Sequence, residues 1–221
     1  MASSSYPPYP SYPSYPSPMR TGSWECSSKD QASLISNLVR VEVLVSEHVV
    51  QAFERVDRGD FVPFRDFAYQ NCPQKHGSFS ISAPHLHGAM LPGKAALDVG
   101  CGSGYLAIVM ALCTGTTSVG VDVDESAIRI AVECSRTSKH ASTCSASFSH
   151  ITSLDEVEGA YDAIVMGCTF DSILDELLRL LKVGGTICVC VGGSLTKIYE
   201  ESDDKPTTRV VYTNCGCTPA I

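Results

Sequence analysis

Ala95-Ala96-Leu97-Asp98-Val99-Gly100-Cys101-Gly102-Ser103-Gly104-Tyr105-Leu106 is the stretch that decides the fold of this chain. A short apolar run reaches an acid, three glycines follow at every second position, and an apolar segment from Tyr105 to Leu112 comes next. Strand, tight turn and helix start, in that order, form the place where open α/β sheets hold nucleotide-like ligands. Glycine lets the backbone turn sharply and come close to a ligand, since no Cβ intervenes. The spacing narrows the ligand. A dinucleotide fingerprint wants glycine at its first, third and sixth places, but counted from Gly100 the sixth is Tyr105, and Gly104 falls one residue early. A pyrophosphate seated on the helix N-terminus fits that pattern poorly.

Bulk properties bound the rest. A chain of 221 residues suits one α/β domain with a tail. The net charge of −8 and the pI near 5.2 argue against a nucleic-acid partner, which wants a basic patch. No apolar run approaches the ~20 residues of a membrane helix, and the first residues lack the basic start and apolar core of a signal peptide. Eleven cysteines, an odd number, fit free thiols in a reducing compartment better than a disulfide framework. A cytoplasmic monomer is expected.

Residues 1–28 are low in complexity: Tyr-Pro recurs at Tyr6, Tyr9, Tyr12 and Tyr15 with serine between. Proline at this density favours extended, solvated polyproline II, so the segment reads as a disordered arm ahead of a domain spanning 29–221. Leu34, Ile35, Leu38 and Val41 repeat at helical spacing. Ser46 reads as the N-cap of a second helix with Val49, Val50, Phe53 and Val56 on one face, closed by Asp57 to Gly59. Phe64, Phe67 and Tyr69 are expected to cover a sheet edge.

Past the glycine turn, Thr117 to Val123 is a strand, and Asp122 lies where such sheets place the carboxylate that accepts ribose hydroxyls. The plainer alternative is that Asp122 or Asp124 caps the helix that follows. Ala146 to Ile151 is a weak strand, Tyr161 to Gly167 a strong one, and Thr186 to Val191 another. Ser172 to Lys182 reads as an amphipathic helix with Leu174, Leu177, Leu178 and Leu181 inward, stopped by Gly184-Gly185. Lys197 to Glu201 and Arg209 to Cys215 read as a closing hairpin. Cys188/Cys190 and Cys215/Cys217 invite a metal reading, but alternate residues of a strand share one face, and packing explains the first pair better.

The second informative stretch is Phe79-Ser80-Ile81-Ser82-Ala83-Pro84-His85-Leu86-His87. His-x-His supplies only two metal ligands, with no cysteine or carboxylate cluster beside it. A Ser-His nucleophilic pair is weak as well, since no strand-turn-helix elbow is expected around Ser82. A third reading comes from likeness. The pattern Asp-x-Gly-x-Gly-x-Gly over Asp98 to Gly104 resembles the first motif of S-adenosylmethionine-dependent methyltransferases. Ile81 to His87 ahead of it, with Tyr161-Asp162-Ala163-Ile164 behind, resembles the protein-L-isoaspartate (D-aspartate) O-methyltransferases, from about Asn37 to the end of the chain.

That resemblance implies a doubly wound, Rossmann-like sheet, mostly parallel, with N-terminal helices and a C-terminal antiparallel hairpin. It implies S-adenosyl-L-methionine as cofactor and, as nucleophile, the carboxylate of an L-isoaspartyl or D-aspartyl residue in a damaged protein. The ester then collapses to a succinimide without further help. Ser82 is the catalytic candidate, orienting that carboxylate. Phe79, Ser80, Ile81, Ser82, His87, Asp98, Gly100, Cys101, Gly102, Gly104 and Asp122 would bind the cofactor, with no metal. Three departures from the family stand out. His150 occupies the place of an acid expected to hold the adenine. Only residues 88–95 separate the second histidine from the strand, where the family has a full helix. The chain also stops just after Gly216 to Pro219, its counterpart of the last strand. Two other readings stay open: a methyltransferase acting on another nucleophile, and a non-enzymatic binding module assembling through the Tyr-Pro arm.

Overall fold

The computed structural model describes residues 26–90, 96–139, 144–170, 175–192, 194–199, 207–212 and 218–219. Five strands, β3 (Ala96–Val99), β4 (Ser118–Asp122), β5 (Ala146–His150), β6 (Tyr161–Phe170) and β7 (Leu181–Val191), form the parallel part of the sheet in the order β5-β4-β3-β6-β7. Two antiparallel strands, β8 (Ser194–Tyr199) and β9 (Thr207–Tyr212), extend it past β7, and β10 (Thr218–Pro219) pairs parallel with β6. The chain winds outward from β3 to β5, then returns to the other side of β3 as β6. Its direction of winding reverses there, and a crevice opens at the carboxyl ends of β3 and β6.

Strand alternation builds a core on each face. Ala163 and Val165 of β6 and Cys188 and Cys190 of β7 face one cluster, while Ile164, Met166, Ile187 and Val189 face the other. The first face is covered by α1 (Gln31–Arg40), α2 (Glu47–Arg55) and α4 (Tyr105–Thr114). Leu34, Ile35 and Leu38 turn inward from α1, as their spacing predicts, and Asp30 caps that helix by accepting from the Ser33 amide at 2.8 Å. The side-chain amide of Gln31 donates to the carbonyls of Phe53 and Val56 at 2.7 and 2.9 Å, fastening α1 to the end of α2. Ser46 holds the N-cap position of α2, but its hydroxyl makes no capping bond. The remaining helices are α3 (Pro84–Met90), α5 (Glu125–Thr137) and α6 (Asp175–Arg179), with a small hairpin of β1 (Gln74–His76) and β2 (Phe79–Ile81).

Several expectations need correction. The helix read over 172–182 is described only from Asp175 to Arg179, and Leu181 opens β7, paired with Tyr161. Gly184 (φ +76°) and Gly185 lie within the irregular start of that strand and stop no helix. The hairpin strands begin earlier than expected because β8 folds directly back on β7, Val191 opposite Ser194. Phe64 and Phe67 are about half exposed, at 52% and 46%, while Tyr69 packs against the core. Their turn is held by Arg65, which bonds Asp57 and Asp60 at 2.9 Å each. Cys26 is fully buried in the core, and the Ser28 amide donates to the Tyr69 carbonyl at 2.9 Å. Residues 1–25 lie outside the described part. Cys188 and Cys190 share one buried face as expected, but Cys190 is disulfide-bonded.

Candidate active site

The glycine turn is fixed from below and beside. The amides of Gly100 and Cys101 donate to the Val121 carbonyl at 2.8 and 3.1 Å, tying the end of β3 to the end of β4. Gly100, Gly102 and Gly104 have φ of +76°, +54° and +78°, left-handed values that side-chain-bearing residues avoid. The Asp122 carboxylate accepts from the Gly102 amide at 3.0 Å with one oxygen and from the Asp124 amide at 2.9 Å with the other. Asp124 in turn caps α5 through the Ser126 amide at 2.8 Å. Both acids therefore have structural work, and Asp122 shapes the turn directly.

Asp98 is different. It is 3% exposed, and its Oδ2 has no hydrogen-bond partner among the described residues. Burial, with the nearby Asp122 adding to it and the Ala107 backbone opposing, pushes its carboxyl up to about 7. A buried carboxylate oxygen without a donor is costly, so this one marks a place for a ligand donor.

A small, solvent-open cavity of about 40 Å³ lies against Asp98. Ser80, Ile81 and Ser82 line it from β2 and the link that follows, His87 and Met90 from α3, and Gly100 to Ser103 from the turn. Tyr105, Leu106 and Gly167 complete the wall. Eight of the expected residues thus meet in one space: Ser80, Ile81, Ser82, His87, Asp98, Gly100, Cys101 and Gly102. The others stand outside it. A Cβ on Gly102 would fall 2.9 Å from the Phe79 ring, so Phe79 roofs the turn, and a valine at 102 would strike that ring. Gly104 lies beneath Phe148, and Asp122 braces Gly102. His150 pairs with Asp122 across β5 and β4 and is exposed, its Nε2 3.2 Å from the Val123 carbonyl. A carbonyl only accepts, so Nε2 carries the proton there.

Ser82 does sit between a strand and a helix, contrary to the sequence reading. The two histidines after it turn to separate partners. His85 Nδ1 is 3.0 Å from Asn71 Oδ1, and burial pushes the His85 imidazole down to about 4. His87 Nδ1 is 3.3 Å from Nη1 of Arg58. Residues 88–90, the start of that short link, are the last turn of α3 and are buried; residues 91–95 lie outside the described part.

Arg58 went unnoticed in the sequence, where Asp57 to Gly59 reads as a helix stop. Its side chain is fully buried. Nε donates to the Ala68 carbonyl at 3.1 Å and Nη2 to the Ser82 carbonyl at 2.9 Å, and the guanidinium carbon lies 5.6 Å from the centre of the Tyr105 ring. Burial lowers its pKa to about 10, which leaves it charged at neutral pH. Ser103, Tyr105 and Leu106 were also missed as lining, although they lie inside the stretch that decides the fold.

Known proteins share this fold. A Plasmodium falciparum chain assigned as a protein-L-isoaspartate O-methyltransferase, solved in complex with S-adenosyl-L-homocysteine, superposes with a TM-score of 0.75 at 22% identity. The match covers 87% of this chain and 98% of that one. Two Arabidopsis thaliana relatives, protein-L-isoaspartate O-methyltransferases 2 and 1, are each 33% identical to it. Those alignments cover 80% and 76% of this chain, and 63% and 81% of the relatives. The sequence profile of the protein-L-isoaspartate (D-aspartate) O-methyltransferases matches residues 29–217, and with it the chain belongs to that family.

Proposed function

We propose that this chain methylates the side-chain carboxylate of L-isoaspartyl and D-aspartyl residues in damaged proteins, using S-adenosyl-L-methionine. The observation that carries the reading is the buried Asp98 carboxylate, whose Oδ2 has no partner among the described residues, in the same cavity as the Ser82 segment. The residues present fit the cofactor: Asp98 offers an acceptor for its cationic amine, and a Cβ on Gly100 would meet only open space. Asp122 has lone pairs left over for ribose hydroxyls. When bound, S-adenosylmethionine supplies the methyl group. The substrate carboxylate, with an ordinary pKa near ~3.9, is already ionised at neutral pH and needs no base. The protein is left with orientation and the exclusion of water. Ser82 donates to the carboxylate and fixes its approach, while Phe79 and the wall from Ser80 to Ile81 cover the site.

Methyl transfer into isoaspartyl and aspartyl peptides of one sequence tests this. Ser82→Ala is expected to lower kcat on the isoaspartyl peptide by roughly 10- to 100-fold while S-adenosylhomocysteine affinity stays within about threefold. An unchanged kcat removes Ser82 from the mechanism, and methylation of neither peptide by a parent that binds the cofactor removes the substrate.

His150 stands where the family resemblance calls for an acid gripping the adenine. Restoring it, His150→Asp is expected to tighten S-adenosylhomocysteine binding by about one decade, since hydrogen bonds to charged groups contribute ~1.5–3 kcal/mol. Calorimetry showing equal or weaker binding would place the adenine grip elsewhere. The net charge of −8 supports a partner other than nucleic acid. No helix among the described residues is long and apolar enough to cross a membrane. A cytoplasmic monomer acting on protein substrates is consistent with both.

A further inference from the structure

We infer that Arg58 is a positioning residue that locks His87 as its Nε2–H tautomer, so that this part of the cavity wall presents proton donors to an anionic substrate oxygen. The inference deepens the isoaspartyl reading of the cavity and rests on it for the identity of the ligand.

The argument begins with what a guanidinium can do. It has five N–H donors and no acceptor. At 3.3 Å between Nη1 of Arg58 and Nδ1 of His87, the proton of that bond belongs to the arginine, and Nδ1 contributes its lone pair. A neutral imidazole with a lone pair on Nδ1 carries its proton on Nε2. A doubly protonated ring would set a second N–H against the first, beside a full positive charge. Burial, together with Arg58 and His85, holds the His87 pKa well below its ordinary value, in agreement with a neutral ring. His87 lines the cavity with Ser82, so both can donate where an acceptor-only carboxylate would sit.

Arg58 is fitted to this task by its shape. Nε and Nη2 clamp the carbonyls of Ala68 and Ser82, which leaves Nη1 aimed at His87. The guanidinium carbon lies over the ring of Tyr105, the first residue of α4, whose centre is also 5.3 Å from that of the His87 ring. One side chain thereby joins the loop ahead of β1, the Ser82 backbone, the His87 tautomer and the helix that follows the glycine turn. These partners are all neutral, so the guanidinium charge adds positive potential to the same wall. Lysine cannot reproduce a planar fork that holds three directions at once.

Three measurements on the full chain decide the matter. With ¹⁵N-labelled histidine at neutral pH, His87, assigned by its loss in His87→Gln, is expected to show a pyridine-like Nδ1 and a pyrrole-like Nε2. The reverse pattern, or two pyrrole-like nitrogens, overturns the lock. On an isoaspartyl peptide, His87→Gln places an amide N–H near the position of Nε2, and His87→Asn near that of Nδ1. Gln is expected to keep kcat/KM at least about tenfold above Asn, mainly through KM, and equal or reversed values overturn the donor assignment. Arg58→Lys, checked for folding by circular dichroism, is expected to raise the peptide KM by about tenfold or more while S-adenosylhomocysteine affinity changes by less than about threefold. The His87 nitrogen shifts should move with it. A folded Arg58→Lys protein with parental KM and parental shifts overturns the proposal; if that variant fails to fold, the nitrogen shifts and the Gln/Asn comparison decide it. A parent that binds S-adenosylhomocysteine but methylates no isoaspartyl peptide removes the substrate reading, and the nitrogen shifts still judge the lock separately.

Discussion

An Asp98→Asn protein is expected to bind S-adenosylhomocysteine at least about 30-fold more weakly than the parent, and yet to melt at a higher temperature at pH 8. Both effects come from one buried carboxyl pushed up to about 7 from an ordinary 3.8, by burial first and by Asp122 second. Below about pH 4 this group is protonated in the folded and unfolded chain alike, and its contribution to stability is fully present. From there to about pH 7 the unfolded chain gives up the proton while the folded chain keeps it, so stability falls as pH rises. Once the folded group also ionises the loss is complete, on the order of 4 kcal/mol for a shift of about three units. Asparagine keeps the shape without the titration. Melting curves of the ligand-free proteins should run close together near pH 4 and separate by pH 8, the variant above. Parallel curves across that range would mean that Asp98 carries no such burden.

The same carboxyl must be ionised to hold a cationic amine. Parent affinity is therefore expected to weaken as pH drops below about 7, with a proton released on binding near pH 6. Calorimetry in two buffers of different ionisation enthalpy reads that proton. In Asp98→Asn both the release and the pH dependence should vanish.

Gly104→Val is expected to cost about 2 to 5 kcal/mol of folding stability. Two independent causes add. The residue opens α4 at φ +78°, where a β-branched side chain is strained. Its Cβ would also stand 2.7 Å from the Phe148 ring and 3.0 Å from the Ala131 Cβ. Phe148 cannot simply slide toward β4, because the same ring lies 2.7 Å from where a Cβ on Gly120 would be. Urea unfolding separates the causes. In a Gly104→Ala background, Phe148→Ala should relieve the collision and leave the strain of about 1 to 2 kcal/mol, a non-additive pair in a double-mutant cycle. An alanine at 104 as stable as the parent would sink the account.

Local signals carried the reading a long way. The apolar run, the acid and the alternating glycines specify β3, the turn and α4 because each residue there obeys a backbone rule that holds in isolation. The spacing of Leu34, Ile35 and Leu38 does the same for α1. Ser82 and His87 came from likeness to a family, and the fold brings both to the cavity wall. What the sequence could not show depends on neighbours distant along the chain. Leu177 and Leu181 suit one helix face, but pairing with Tyr161 draws Leu181 into the sheet. Arginine is rarely buried without a carboxylate, so nothing local distinguishes Arg58 from a solvated charge. Gly102 reads as making room for a ligand, whereas the group that occupies the room is Phe79.

The strand order also sets a timetable. As the chain leaves the ribosome, β3, β4 and β5 emerge first and can assemble in sequence, but the far edge of β3 waits for β6. Residues 96–99 pair with residues 163–166, a contact separated by 67 positions, and until it forms the hydrogen-bonding edge of a fully buried strand, apolar but for Asp98, is open. A chain released before β6 is made carries the complete glycine turn with one side of its crevice absent. Premature termination within residues 100–160 should therefore yield an aggregating product, whereas loss of later edge strands leaves that central pairing intact.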